Sequence, residues 1–190
     1  MKLFKFALDV EEDYKNWDNS VDNAFDDFEH AEKILSWNIE EMKETIREDC
    51  IQLVKSCGTY AKSFILAPFD GDVLRPEVAF AKIQFLKEKI YYARRALSFQ
   101  KEIFASVTRD NYVEVARFSD YCRDYCLDVN FELDNRQDVI CHNIDCGFAD
   151  RFDFSMVEDI NSSFSNFEDF YSMQLRTIKS SQTVEKIKKS

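Results

Sequence analysis

Histidine is scarce in this sequence of 190 residues, and one of its two histidines has an arginine close by in the chain. Arg136 and His142 are separated by five residues. Cleavage of RNA without a metal needs a group that transfers protons near neutral pH, and imidazole titrates in that range. A guanidinium has planar, paired donors that stabilise charge developing on a phosphate. The two side chains therefore have types suited to phosphodiester chemistry, if the fold brings them to one phosphate.

The segment around this pair resembles the HEPN domains, a family of helical bundles found in RNA-cleaving toxins, antiviral defence proteins and partners of nucleotidyltransferases. Ile140 and Cys141 match the aliphatic and small residues that precede the family's histidine, and Gln137 stands where asparagine is usual. The resemblance implies a metal-independent endoribonuclease of a bacterial or phage conflict or toxin–antitoxin system, with Arg136 and His142 as the catalytic residues. It also implies a homodimer that brings two motifs together, Gln137 as a substrate-binding residue, and no cofactor.

A structural interpretation of the same residues stays open beside the catalytic one. Asp134 and Asp138 flank Arg136 and would form ion pairs with its guanidinium, and His142 would pack at one end of a bundle. The same acids would repel a phosphate. The alternative function is a non-catalytic acidic helical adaptor or inhibitor that binds a macromolecular partner.

A second cationic feature is a stripe of bases at intervals of seven residues, formed by Lys87, Arg94 and Lys101. Residues seven apart lie nearly on one line of a helix, so the stripe could hold an RNA backbone as part of the substrate site. It could equally face residues 1–50, which carry 15 acids and 6 bases, or −9 in net charge.

Cysteine spacing offers a different site in the same region. Cys122, Cys126, Cys141 and Cys146, with His142 beside them, could supply the ligands of a zinc ion. Buried free thiols also behave as small hydrophobic residues, which is the alternative for this set. We predict no metal as the first choice and keep the four cysteines as the zinc alternative.

The composition limits the class of protein. With 36 acidic and 25 basic residues the net charge is −11, so we expect RNA or a protein as partner and regard DNA as a poor one. Three glycines are too few for the glycine-rich loops that bind dinucleotides or nucleotide phosphates. The lack of a signal-like or membrane-spanning run and the six cysteines favour a cytoplasmic protein with reduced thiols and no membrane association.

The elements that must position these residues are helices. Apolar residues recur every three or four positions from Phe28 to Phe64 and again from Ala79 to Phe104, where Gln100 is the polar interruption. A connector with Pro76 at its end separates the two series, so they predict an antiparallel pair of long helices. Shorter series predict a third helix from about Asp110 and a fourth after a capping box at Ser155.

We therefore predict a mainly α fold, an antiparallel bundle of long helices in one domain over residues 1–190, with a frayed polar tail at 180–190. At most a small β element is expected, an N-terminal strand at 3–8, a hairpin at 129–146, or both. A short helix and loop is the alternative for 129–146.

Overall fold

A computed structural model of the chain describes residues 10–20 and 27–189, with side chains at 10–19 and 27–181. These ranges contain five α-helices and a 3-10 turn at Phe154–Val157. The helices are α1 (Val10–Ser20), α2 (Phe28–Leu66), α3 (Pro76–Phe104), α4 (Tyr112–Asp145) and α5 (Glu158–Lys189). No β-strand occurs in the described ranges. The prediction of a mainly α bundle of long helices is confirmed.

The predicted hairpin or helix–loop at 129–146 is wrong, because α4 continues without interruption to Asp145. Val129, Phe131 and Leu133 alternate in sequence and so imitate a strand. In the structure Val129 and Leu133 are buried whereas Phe131 is exposed, so the burial has a period of four rather than two. The predicted N-terminal strand at 3–8 lies outside the described residues.

The helix α1 was absent from the sequence prediction. It is held by aromatic contacts with α4, since the Tyr14 ring lies 4.9 Å from the Tyr121 ring and Trp17 Nε1 donates a 3.2 Å hydrogen bond to Asp124. An eleven-residue helix is marginal in water by its own propensity. Packing against residues more than a hundred positions away therefore stabilises it.

The contacts divide the chain into two compact units. Unit 1 comprises Met1–Ile39, Ser98–Asp124 and Glu158–Ser190, and unit 2 comprises Glu40–Leu97 and Tyr125–Val157. The helices α2, α3 and α4 each contribute residues to both units. That residues 1–190 form one domain stays a prediction.

Unit 1 has an aromatic core between α3, α4 and α5. Phe99 stacks on Tyr171 with 4.1 Å between ring centroids, and the Tyr171 hydroxyl donates to the Phe99 carbonyl oxygen at 3.3 Å. Phe118 stacks on the same tyrosine at 5.8 Å, and Phe167 packs against Phe99 at 5.9 Å. Stacked and edge-on rings at these distances add to the stabilisation from burial alone.

The polar interruption at Gln100 is explained by a buried hydrogen-bond network in unit 1. Gln100 Nε2 donates to the Ser119 carbonyl oxygen at 2.9 Å, and the Ser119 hydroxyl donates to Gln100 Oε1. Asn38 Nδ2 donates to Ser119 Oγ and to Asp120 Oδ1, each at 2.9 Å. These buried polar groups have partners, so the network costs little stability and fixes the alignment of three helices.

Unit 2 contains the predicted antiparallel pair of helices. The Tyr60 ring of α2 lies 6.0 Å from the Phe80 ring of α3, and farther from the turn Lys89 of α3 reaches Asp49 of α2. The contacting residues rise along α3 as they fall along α2, so the two helices run antiparallel here. Pro76 is the first residue of α3, where its missing N–H has no helical partner to lose.

The end of α4 lies in unit 2 and is fixed by a backbone motif. Gly147 has a φ of 77°, and the Phe148 N–H donates to the Asn143 carbonyl oxygen at 2.8 Å. The Ile144 carbonyl oxygen accepts from the Gly147 N–H at 3.2 Å and also from Arg75 at 2.9 Å. This is the Schellman arrangement, in which glycine adopts the left-handed conformation that other residues resist.

The start and end of α5 differ from the sequence prediction. The Asp153 carboxylate, rather than the Ser155 hydroxyl, caps the 3-10 turn by accepting from the Ser155 N–H at 2.9 Å. The helix continues to Lys189, although a frayed tail was expected from residue 180. Fraying of the 180–190 tail stays a prediction, since side chains after 181 lie outside the described residues.

Candidate functional site

Arg136 is held by contacts within unit 2. Its Nε donates to Glu132 Oε1 at 2.8 Å, one turn earlier on α4, and an Nη donates to the Met156 carbonyl oxygen at 3.0 Å. The acid that pairs with it is therefore Glu132, not Asp134 or Asp138. The guanidinium joins α4 to the turn before α5, a positioning role in the fold.

His142 lies on a different side of α4 from Arg136. Six residues along a helix correspond to about 120° of rotation and about 9 Å of rise, so the two side chains leave the helix in different directions. His142 is exposed, and its ring nitrogens lie 3.6 Å and 3.8 Å from Cys146 Sγ. It does not pack at a bundle end. Gln137 is partly buried beside Arg136.

The three bases of the stripe, Lys87, Arg94 and Lys101, are exposed along α3, and none forms an ion pair with a described residue. The neighbouring Lys89 instead meets the acidic N-terminal segment of the chain. Its Nζ lies 3.6 Å from Asp49 Oδ1 and 3.1 Å from Asp134 Oδ1. The three bases of the stripe are therefore accessible to solvent. The buried ion pair is formed instead by Lys89, which is not part of the stripe.

The ion-pair cluster around Lys89 contains a carboxylate with a shifted pKa, that of Asp49. Burial raises the pKa of Asp49, and the nearby Lys89 ammonium opposes that rise. Asp49 Oδ2 is buried without a hydrogen-bond partner among the described groups. The cluster contains a cation and two acids but no nucleophile, and its contacts join α2, α3 and α4. We interpret it as a structural ion pair.

The cysteines of the zinc alternative are spread along α4 and the residue that follows it. Cys126 and Cys141 are fifteen residues apart on one helix, or about 22 Å, which is too far for one ion to bind both. Across the described ranges no group of three or more His, Cys, Asp or Glu side chains is arranged to hold a metal ion. Burial raises the pKa of Cys141, as expected for an unreactive thiol.

Unit 1 has an open cavity of about 430 Å³ beside the start of α4. Its lining includes the acids Asp18, Asp110 and Glu114 with the base Arg117, which pairs with Asp18 at 3.1 Å. Burial raises the pKa of Tyr14, another lining residue, so its phenol stays protonated. The cavity therefore lacks a base–nucleophile pair.

The clearest candidate for an interaction site is an exposed apolar surface at the turn between α2 and α3, which we call the tip patch. It consists of Phe64, Leu66, Phe69 and Phe80. Phe69 is 87% exposed and Phe64 is 67% exposed. Tyr60 lies against Phe64 and Phe80, at 5.9 Å and 6.0 Å between ring centroids, and so holds two of these rings in place.

The sequence pattern placed Phe64 on the apolar face of the first long helix and did not single out Phe69. A sequence signal was available, because Phe64, Ile65 and Leu66 are consecutive. Consecutive residues of a helix point about 100° apart, so a helix packed on one side cannot bury all three. Contiguous exposed apolar surface of this kind marks interaction sites.

Comparison with known protein families, curated proteins and solved structures finds no match to this chain. Each described helix lacks the length or the apolar character needed to cross a membrane.

Proposed function

We propose that this chain is a non-catalytic interaction protein that binds a protein partner through the tip patch. The observation that carries the proposal is the exposure of Phe64 and Phe69 beside a well-formed helical pair. Aromatic side chains held by neighbouring rings lose little conformational entropy on binding and bury large areas. The patch therefore has the composition of an interface centre.

The charges around the tip patch favour a protein over a nucleic acid or an anionic membrane. Asp70 follows Phe69 directly and Asp72 lies two residues farther on. The Asp72 N–H donates to Asp70 Oδ1 at 3.0 Å, which keeps both acids in the turn. A phosphate-bearing partner would meet these carboxylates at the most exposed aromatic residue. A protein with an apolar groove and a basic rim fits both features.

The ribonuclease function stays a prediction, and the geometry supports it less. A catalytic guanidinium must be free to meet the phosphate, whereas Arg136 is engaged by Glu132 and by the Met156 carbonyl oxygen. Its separation from His142 around the helix also argues against joint action on one phosphate. The stripe on α3 is the feature that still favours an RNA backbone.

Affinity capture with matched variants tests the proposal. The tagged chain is expressed in cells of the organism that encodes it, as wild type, as Phe69→Ser and as Phe131→Ser. Phe131 is another exposed phenylalanine of unit 2, on α4. We expect one protein to be recovered with the wild type and with Phe131→Ser, and its recovery to fall at least about tenfold with Phe69→Ser. Equal recovery with both variants would contradict the proposal.

An RNA-cleavage assay with the purified chain tests the alternative ribonuclease function. A metal-independent ribonuclease would cleave RNA in the presence of a chelator, and His142→Ala would abolish cleavage while leaving the melting temperature unchanged. We expect no cleavage by either protein. Cleavage by the wild type that disappears in His142→Ala would replace the interaction proposal with the catalytic one.

A further inference from the structure

Within unit 2 the helix α2 has one buried face and, opposite to it, an exposed face that carries apolar residues. The inner face packs in the unit, with Met42, Asp49 and Ser63 buried. The opposite face, roughly 150° away around the helix axis, carries a second series at intervals of three and four. We call this series the outer seam: Arg47, Ile51, Val54, Gly58, Ala61 and Ile65. A helix packed on one side is expected to be polar on the other. Because the outer seam is largely apolar, we infer that another molecule covers it.

The outer seam is fully presented to solvent. All six of its residues are exposed, and Val54 reaches 74% and Ile65 67%. A Cβ added at Gly58 would meet nothing within 4 Å, so a second helix backbone could approach closely at that point. The spacing is the one by which two helices pack side by side with interlocking side chains.

The sizes of the seam residues specify what covers them. We propose that a second copy of this chain binds the outer seam in an antiparallel orientation, with Ser56 of the two copies level. Ile51 then faces Ala61 of the other copy, and Val54 faces Gly58. Each large residue meets a small one, and the two-fold symmetry repeats both pairs. A parallel pair would instead set Gly58 against Gly58 and leave a gap.

The charges beside the outer seam agree with the same alignment. The antiparallel arrangement brings Glu48 next to Lys62 of the other copy on both sides of the two-fold axis. Both side chains are exposed and lie on the same flank of the seam. Lys55, on the same flank, lies next to Lys55 of the other copy at the axis, so two attractive pairs outnumber one like-charge contact. At the ends, the aliphatic stem of Arg47 covers Ile65 of the other copy. Two copies of the segment 47–65 are thus complementary in side-chain size and mainly complementary in charge.

This proposal does not depend on the tip patch. The outer seam faces away from the inner face of α2, whereas the tip patch is centred on the turn after it. A homodimer through the seam leaves Phe69 available for another protein. The two inferences can therefore fail separately.

Sedimentation velocity with matched valine variants tests the dimer. We expect the wild type to sediment as a dimer and Val54→Lys as a monomer, with the dissociation constant raised at least about 100-fold because the new ammonium would be buried at the seam. The control is Val139→Lys, the same change at an exposed valine of α4, which should stay dimeric. A monomeric wild type over the whole soluble range overturns the proposal, as does equal behaviour of the two variants.

A charge exchange tests the antiparallel alignment. Glu48→Lys sets like charges together at both symmetry-related sites and should weaken the dimer by roughly tenfold. Adding Lys62→Glu exchanges the two charges and should restore the wild-type affinity. A dimer that is disrupted by Val54→Lys but not restored by the exchange overturns the antiparallel alignment. Phe69→Ser should leave the dimer unchanged and Val54→Lys should leave partner capture unchanged, so each failure is assigned to one surface.

Discussion

Removing the buried cation of unit 2 is the perturbation whose effect the structure defines best. Lys89 of α3 lies between Asp49 of α2 and Asp134 of α4, at 3.6 Å and 3.1 Å. The Lys89 and Asp49 side chains are only 14% and 10% exposed. The variant Lys89→Met keeps most of the aliphatic stem and its packing but removes the charge, so the change acts on the ion pair.

The expected loss at neutral pH is about 3 kcal/mol in the free energy of unfolding. Breaking a buried pair by removing one partner costs about 3–5 kcal/mol, because the remaining charge stays buried. The lower end applies here, since both side chains keep some contact with water and Asp134 is half exposed. The loss arises mainly at Asp49, whose carboxylate would stay buried without a cation beside it. Its Oδ2 already lacks a hydrogen-bond partner among the described groups.

The loss should depend on pH in a defined direction. Burial raises the pKa of Asp49 in the folded chain, so the folded state binds a proton more readily than the unfolded state does. Stability from this residue is therefore greatest below its ordinary pKa of about 3.9 and falls as the pH rises through the folded value. Without Lys89 the pKa rises further, and the difference between variant and wild type should shrink in acid.

Urea unfolding followed by far-ultraviolet circular dichroism measures both effects, at pH 7 and in mild acid. Arg94→Met is the matched control, an exposed base of α3 without a described ion pair, and should lose less than about 0.5 kcal/mol. Adding Asp49→Asn to Lys89→Met should recover most of the loss. Equal losses in Lys89→Met and Arg94→Met, or a loss that does not change with pH, would refute this account of the cluster.

Three further predictions concern packing and backbone. Phe99→Ala should lower the free energy of unfolding by about 4 kcal/mol, because the buried ring stacks on Tyr171, and a loss below about 1 kcal/mol in urea would contradict the stacked core. Gly147→Ala should destabilise by about 1 kcal/mol through its positive φ alone, as nothing lies within 4 Å of the added methyl. Gly58→Ala, equally open but inside α2, should stabilise the monomer by up to about 1 kcal/mol. A shift of the same sign in both glycine variants, measured by thermal unfolding in dilute solution, would be inconsistent with these conformations.

The helical architecture could be predicted because long helices repeat one local pattern, apolar residues at intervals of three and four, over many turns. The series from Phe28 and from Ala79 persist over many turns and correspond to α2 and α3. At 129–146 this pattern failed because Val129, Phe131 and Leu133 satisfy a period of two as well as one of four. Only the packing of α4, which buries the first and third of them, decides between the periods.

The site could not be predicted because its determinants are long-range. Arg136 is engaged by the Met156 carbonyl oxygen, twenty positions farther along the chain, and nothing near Arg136 in sequence indicates that contact. Periodicity likewise finds the apolar positions of α2 but not which of its faces is covered. The sequence therefore placed Phe64 on the apolar face of the predicted helix, whereas the structure leaves it 67% exposed.

Site-specific photo-crosslinking in living cells tests the central claim, that the tip patch binds a protein, most directly. A photoreactive phenylalanine analogue replaces Phe69 in one variant and Phe131 in another. The interaction proposal predicts a discrete covalent adduct with one protein from position 69 and none, or far less of it, from position 131. Adducts of the same pattern from both positions, or no protein adduct from position 69, would contradict it.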